Sequence, residues 1–372
     1  MIRLLKILGS IRLAIICMIL LIVLVFLGTL YQHDYGLYLS QEKFFYSWIV
    51  WFDIGGVPVP LLPGGALVMT VFTVCLTISM LVHFTLGWRK AGLWLAHIGV
   101  LLMMVGGAYT KMTGVESYLS LAEGQSSNVS ADYREWEFSL WTGTNEVREV
   151  YAVDARGSVG APVAFPDLGV TLRVDTYHRS CRAMVHKNPP AGTPFSISGI
   201  TELEAKKPET DPQKHMPGAI VTLTAGAESR QVLLFSGDEL PTPVTVGGRE
   251  VFVNLRRVRY PLPVLVKLND FRKETYANSS MAAAFSSQVT VTLDDKLERD
   301  VKIEMNKPFR HLGWTFFQAS FTEDGRGQET STFAVTRNFG RLIPYFATGI
   351  TFIGMMVHFA LGWVPRREGD RS

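Results

Sequence analysis

The stretch LWLAHIGVLLMMVGG, Leu93–Gly107, sets the fold class of this chain, because it is apolar almost from end to end and carries one titratable ring, His97. Extended to Thr110, it contains no Asp, Glu, Lys or Arg. About 18 such residues are enough for a helix that crosses a hydrocarbon layer of about 30 Å. The sequence therefore predicts a membrane-spanning helix with an imidazole inside it.

Three other segments are similarly long and apolar: Ile11–Leu30, Ala66–Leu86 and Leu342–Val364. We therefore predict a membrane α-helical protein with four transmembrane helices and a large β-rich extracytoplasmic domain. The predicted domains are residues 1–112, with spans at about 11–30, 66–86 and 93–110 and an aromatic external loop at 31–65; residues 113–340, the β-rich domain; and residues 341–372, with the fourth span at about 342–364 and a short tail.

Basic residues near the span ends set the predicted orientation. They precede the first span, fill the turn between the second and third, and follow the fourth: Arg3, Lys6, Arg12, Arg89, Lys90, Arg366, Arg367 and Arg371. By the positive-inside bias this side is cytoplasmic, so both termini are expected there and the large domain outside. The first span has a longer apolar run than a signal peptide and no small-residue cleavage site, so we expect it to remain as an anchor.

The external loop contains the aromatic run EKFFYSWIVWF, Glu42–Phe52. Aromatic side chains at membrane boundaries commonly fix the depth of a protein in the bilayer. The alternative is that they form an apolar platform for a flat ligand or a partner helix. The sequence favours the first interpretation, a short interfacial segment at headgroup level, and leaves the second open.

The outside domain is predicted to be a β-sandwich or an open barrel, possibly in two lobes. Its apolar runs are short, alternate with period two and are separated by Gly, Pro and Asn turns. The predicted strands begin at Glu135, Val170, Ala219, Glu250, Ser287, Asp300 and Trp314. Residues 187–217 are polar and Pro-rich and read as a long flexible loop. The domain is near neutral, which gives no reason to expect a nucleic-acid partner.

Cysteine and histidine usage excludes several kinds of site. The three cysteines, Cys17, Cys75 and Cys181, form neither C-x-x-C nor C-x-x-C-H, so neither a dithiol nor covalent c-type haem is expected. His178, Cys181 and His186 lack the fourth ligand and the spacing of structural zinc. His215 and His311 lie in polar sequence and are interpreted as loop residues. No hydrolase, metalloprotease or phosphate-binding motif is present.

His97 is the main candidate site residue. It lies roughly 6 Å inside the third span at 1.5 Å per residue, where ionisable side chains are costly and usually functional. Gly99 and Gly106 lie roughly 200° around the helix from it, so a neighbouring helix could pack there without covering the imidazole. A neutral imidazole is a good ligand for haem iron, and haem fits between helices.

Two further histidines lie at a similar depth. His83, in VHFTLGW, and His358, in VHFALGW, stand near the cytoplasmic ends of the second and fourth spans. One interpretation is a haem pocket near the inner leaflet in which these rings ligate iron or contact propionates. The other is that they simply extend to the headgroups, as residues near span ends often do.

The chain resembles the ResB family of cytochrome c biogenesis proteins, the system II partners of CcsA. The similarity is carried by the first span, LGSIRLAIICMILLIVLVFLGTLYQ, by HIGVLLMMVGG in the third, by DFRKETYANSSMAAAFSSQVTV from Asp270 and by NKPFRHLGWTFFQASF from Asn306. The order of spans and domain also matches.

This resemblance implies a bacterial inner-membrane protein that acts with a CcsA-type protein to transport haem b and to support its attachment to exported apocytochromes c. It implies that His97 is an axial ligand of the haem iron. His83 and His358 do not follow from the resemblance. The chain is expected to be non-catalytic alone and to act as a subunit of a ResB–CcsA holocytochrome c synthase, in contact with membrane lipid.

Two other functions compete with this one. A cytochrome b type electron carrier would need bis-histidine pairs in both leaflets, and no span places a histidine near the outer one. The other is a haem-free, membrane-anchored sensor or scaffold with a periplasmic β domain. Haem absorbance in the complex with CcsA, and its dependence on His97, separates that rival from the haem hypothesis.

Overall fold

The structure, a computed structural model, describes residues 2–83, 87–143, 149–187, 192–207, 209–238, 240–275, 282–293, 297–323 and 329–363. It contains two compact units. One comprises Met1–Val115 and Arg337–Ser372, and the other comprises Glu116–Thr336.

The first unit is built mainly of helices: α1 Ile2–Leu8, α2 Ile11–Ser40, α3 Gly65–His83, α4 Ala91–Thr113 and α5 Ile343–Trp363. Within the described residues, α2 to α5 are the four helices long and apolar enough to cross a membrane. The predicted helical part of the fold class is thereby confirmed.

Helix α2 continues beyond the predicted end at Leu30 and then reverses. The Ser40 hydroxyl donates to the Gly28 carbonyl at 2.6 Å, although twelve residues of straight helix would separate them by about 18 Å. The reversal occurs at Gly36, whose φ of 81° favours glycine. Residues 37–45 therefore form a return arm, which ends in a π-helical turn at Gln41–Phe45.

A short hairpin connects the return arm to α3. Its strands are β1 Ile49–Ile54 and β2 Val57–Pro63, and they pair only with each other. The predicted external loop thus contains both helical and strand structure.

The second unit is β-rich. A ten-stranded sheet runs in the order β15-β14-β13-β4-β3-β18-β17-β16, with β12 paired to β13 and β5 to β4, and its two ends approach each other to form a nearly closed barrel. A four-stranded sheet has the order β11-β10-β7-β6, and β8-β9 is a separate hairpin. The strands are β3 Val115–Ala122, β4 Ser126–Thr142, β5 Tyr151–Asp154, β6 Val163–Phe165, β7 Val170–His178, β8 Cys181–Met184, β9 Glu202–Ala205, β10 Gly218–Ala225, β11 Glu228–Phe235, β12 Thr242–Val246, β13 Arg249–Thr275, β14 Ala282–Thr292, β15 Glu298–Glu304, β16 Phe309–His311, β17 Trp314–Glu323 and β18 Glu329–Arg337.

Strand β13 takes part in both halves of this domain. Its first part presents alternate residues, Val251, Val253 and Leu255, to a core shared with the four-stranded sheet, and all three are buried. Its second part pairs with β14 in the barrel half. The fold therefore combines a sandwich-like packing of two sheets with an open barrel, the two architectures that the sequence predicts as alternatives. All seven predicted strands are confirmed.

The predicted flexible loop at 187–217 is partly wrong. It contains strand β9, a 3₁₀ turn at Pro212–Lys214 and the buried residues Ser196, Ile200 and His215. Residues 188–191 and 208 lie outside the described residues.

Candidate functional site

His97 lies in the second turn of α4, half-buried among apolar residues. Its Nδ1 is 2.8 Å from the carbonyl oxygen of Leu93, one turn earlier in the helix. Because a carbonyl can only accept a hydrogen bond, this contact assigns the ring proton to Nδ1. The lone pair of the neutral ring is then on Nε2.

This arrangement fits the chemistry of a metal-binding histidine. Ligating histidines commonly donate their other ring N–H to a backbone carbonyl, which fixes the tautomer and the ring orientation. In this tautomer the ring atom with a lone pair for a metal is Nε2. The described residues contain no group of three or more His, Cys, Asp or Glu side chains placed to hold a metal ion.

The face of α4 opposite His97 packs against α5. Gly92, Gly99 and Gly106 are all buried there, at intervals of seven residues. A Cβ at Gly99 would lie 2.7 Å from the carbonyl oxygen of Ala347, and one at Gly92 would lie 2.3 Å from the backbone nitrogen of His358. The prediction that Gly99 and Gly106 receive a neighbouring helix is confirmed.

The face that carries His97 is directed towards α3. Met104 shares this face by helical periodicity, and the Thr73 hydroxyl on α3 lies 4.0 Å from its sulfur. His97 is seven residues, about 10 Å, nearer the start of α4. In the antiparallel pair α3–α4 this corresponds to the height of Met80, which is buried.

His358 occupies a different position. Its backbone lies in the α4–α5 contact at Gly92. The residue as a whole is nevertheless exposed, and the centroid of its ring lies 5.7 Å from that of Phe359, in an edge-on arrangement. The structure thus brings the two helices together but does not place His358 on the His97 face. A shared haem pocket for these two rings stays a prediction.

His83 is the last residue of α3. Its side chain lies outside the described residues, so its predicted contact with haem also stays a prediction.

The Cys/His group of the β domain does not converge on a metal. Cys181 is buried, its thiol donates to the Met216 carbonyl at 3.5 Å, and burial raises its pKa to about 11. His186 pairs instead with the carboxylate of Glu202. A protonated thiol is a poor metal ligand.

His215 lies in a loop, as predicted, directly after the 3₁₀ turn at Pro212–Lys214, but it is buried; the loop interpretation is wrong for His311, which lies in strand β16. His215 is 3% exposed, and its Nε2 donates to the Glu209 carbonyl at 2.9 Å. Burial lowers its pKa, and the charges of Arg179, Arg257 and Arg156 lower it further. Its polar sequence neighbours gave no signal of burial, because the contacts come from distant strands.

The chain is similar in sequence to known proteins. Residues 219–363, from β10 to the end of α5, match the model of the ResB-like family. Over these residues the chain is similar to the ResB-like family of proteins. It is also 23% identical over 288 residues to Protein NrfI of Wolinella succinogenes, which covers 76% of this chain.

The chain spans only 28% of the length of NrfI. The family match includes the barrel half of the β domain and helix α5, but not α4. His97 therefore lies outside the matched residues.

Proposed function

We propose that this protein acts in cytochrome c biogenesis, as a haem-binding subunit of a complex in the bacterial inner membrane. Its partner would be a CcsA-type membrane protein. Together they would carry haem b across the bilayer and support its attachment to exported apocytochromes c. The family match supports the pathway, and the geometry of His97 supports the haem site.

The observation that carries the haem proposal is the bond from His97 Nδ1 to Leu93. This hydrogen bond orients the imidazole inside an apolar helix, where ionisable side chains usually have a function, and it would present Nε2 to the iron of a porphyrin. Haem is the cargo, and what this chain supplies is Nε2 as an axial ligand. The proposed role requires no nucleophilic side chain from the β domain.

The proposed orientation places the β domain on the periplasmic side and both termini in the cytoplasm. It is supported by Arg89 and Lys90, which lie in the turn between α3 and α4, at the membrane side that the positive-inside bias assigns to the cytoplasm. The β domain would then meet the apocytochrome, for example through main-chain hydrogen bonds at a sheet edge.

The decisive experiment is to co-purify the full chain with its CcsA-type partner and measure haem absorbance per complex, together with maturation of a reporter cytochrome c. His97→Ala should lose most of the haem and change the position of its main absorption band. His33→Ala is the matched control, because the His33 side chain is 88% exposed and pairs only with the neighbouring Asp34 among the contacts described. Equal haem content in both variants would reject His97 as ligand, and a haem-free wild-type complex would favour the sensor or scaffold alternative.

A further inference from the structure

The β1–β2 hairpin is apolar on both faces. Val50, Phe52 and Leu62 lie on the inner side, packed in a cluster with Phe44 and α2. On the other side, three residues are exposed: Ile49 (44%) and Trp51 (50%), which alternate with Val50 and Phe52 along β1, and Leu61 (53%) of β2. We call these three residues the outer face. An antiparallel sheet in water normally carries polar residues on the face away from the core, so the outer face has the composition of a covered surface.

The hairpin is held firmly, which fixes the direction of the outer face. The Gly64 N–H donates to the Trp48 carbonyl at 2.8 Å, and Val50 is completely buried. The Lys43 ammonium lies 4.5 Å from the ring of Tyr31 and 4.8 Å from that of Phe52. The lysine thereby ties α2, the return arm and the hairpin together.

The outer face also lies at a defined height. Strand β2 ends at Pro63 and α3 begins at Gly65, so the base of the hairpin is level with the first turn of a membrane span. Val50 shares its cluster with Val68 of that turn. Tryptophan is enriched at this boundary between hydrocarbon and headgroups.

Charge and backbone chemistry distinguish lipid from a protein strand as the occupant. Asp53 is the only charged residue of 48–63, and its carboxylate accepts the Gly56 N–H of the turn at 2.7 Å. Strand β2 contains Pro58, Pro60 and Pro63, which have no N–H. An edge with so few donors is poorly suited to pairing with another strand, but leaves fewer donors unsatisfied where water is scarce.

From this we infer that the outer face of the hairpin lies in the interfacial layer of the bilayer, with phospholipid as its occupant, at the end of the membrane where α2 ends and α3 begins. The hairpin would then fix the depth and tilt of the helical unit. This inference is independent of haem binding.

The test uses the full chain in phosphatidylcholine nanodiscs, with bimane attached to Trp51→Cys or Leu61→Cys. The native cysteines Cys17, Cys75 and Cys181 are buried, and the unmodified protein supplies the labelling background. The control is Val159→Cys, an exposed apolar position (49%) of the β domain. Lipids with a doxyl group high on the acyl chain and aqueous iodide serve as the two quenchers.

Bimane at positions 51 and 61 is expected to be quenched severalfold more by doxyl lipid than by iodide, and the control should show the opposite order. Iodide quenching at 51 and 61 equal to that of the control would overturn the inference. Protection from both quenchers would overturn it as well, since a protein surface would then be the occupant. Both positions are exposed, so neither substitution should prevent folding, and unchanged circular dichroism verifies this.

Discussion

Helices α4 and α5 approach so closely at Gly99 that even one methyl group should force them apart. An added Cβ would lie 2.2 Å from the Thr351 hydroxyl oxygen and 2.7 Å from both the Ala347 carbonyl oxygen and the Thr351 backbone nitrogen. Two of these three atoms belong to the backbone of α5, so no side-chain rotation relieves the overlap. Gly99→Ala is therefore expected to destabilise the helical unit.

The size of the effect follows from the distances. Ordinary contact begins near 3.4 Å, so relieving the overlap with the two backbone atoms at 2.7 Å requires the helices to separate locally by about 0.7 Å. Overpacking of this kind costs about 1–3 kcal/mol, and a gap of about 0.5–1 Å removes about a quarter to a half of the dispersion energy of neighbouring contacts. The intrinsic gain of Ala over Gly in a helix, about 1 kcal/mol, offsets only part of this.

The assay is SDS-induced unfolding of the full chain, followed by the helical circular-dichroism signal. Gly107→Ala is the matched control, because it makes the same change on the same helix at a position where a Cβ meets nothing within 4 Å. The Gly99 variant should be less stable than this control by about 1–3 kcal/mol. On α5, Gly354→Ala and Gly349→Ala form the reciprocal pair, since a Cβ at Gly354 would lie 2.3 Å from the Ala96 nitrogen and one at Gly349 meets nothing. If the two members of each pair unfold at the same SDS concentration, the close α4–α5 contact is refuted.

Three predictions concern the β domain. Because the pKa of His215 is lowered in the folded protein, the unfolded chain binds the proton at a higher pH than the native chain does. The contribution of His215 to the free energy of unfolding should therefore be fully present above pH 6.5 and decrease as the pH falls below it. Denaturant titration at several pH values measures this, and His215→Gln should flatten the pH dependence. Arg256→Met leaves the buried carboxylate of Glu137 without its partner at 2.9 Å and should cost about 3–5 kcal/mol in urea unfolding, whereas replacing both residues with apolar ones should restore most of that loss. The Cys181 thiol, with its pKa raised to about 11, should resist iodoacetamide at neutral pH in the native protein and react after unfolding; rapid native alkylation would contradict its burial.

The sequence was most informative where a single period or a long apolar run decides the structure. The spans follow from uninterrupted hydrophobicity, and the α5-facing stripe of α4 follows from the seven-residue spacing of Gly99 and Gly106. The reversal of α2 could not be predicted in this way, because hydropathy averages over Gly36 and does not report its positive φ. Strand β13 continues far beyond the start predicted at Glu250, although Pro261 and Pro263 would normally end a strand; the register with β4 shifts between Pro261 and Val266 and the strand continues.

The candidate site was predicted only in part, for a similar reason. An imidazole within an apolar helix indicates His97, but the rotamer that places its Nδ1 on Leu93 depends on packing. The depth of His358 was inferred from its sequence neighbours, whereas its direction depends on which face of α5 meets Gly92. Such tertiary contacts leave no periodic signal in either segment.

The glycine contact between α4 and α5 joins segments that are far apart in synthesis. About 230 residues separate the end of α4 from the start of α5, and at roughly 5–20 residues per second the ribosome needs on the order of ten to fifty seconds to make them. Throughout that interval Gly92, Gly99 and Gly106 have no α5 helix to pack against. The nascent protein therefore passes through a three-span intermediate with an open groove, which a chaperone or an early partner subunit could shield until the last helix enters the membrane.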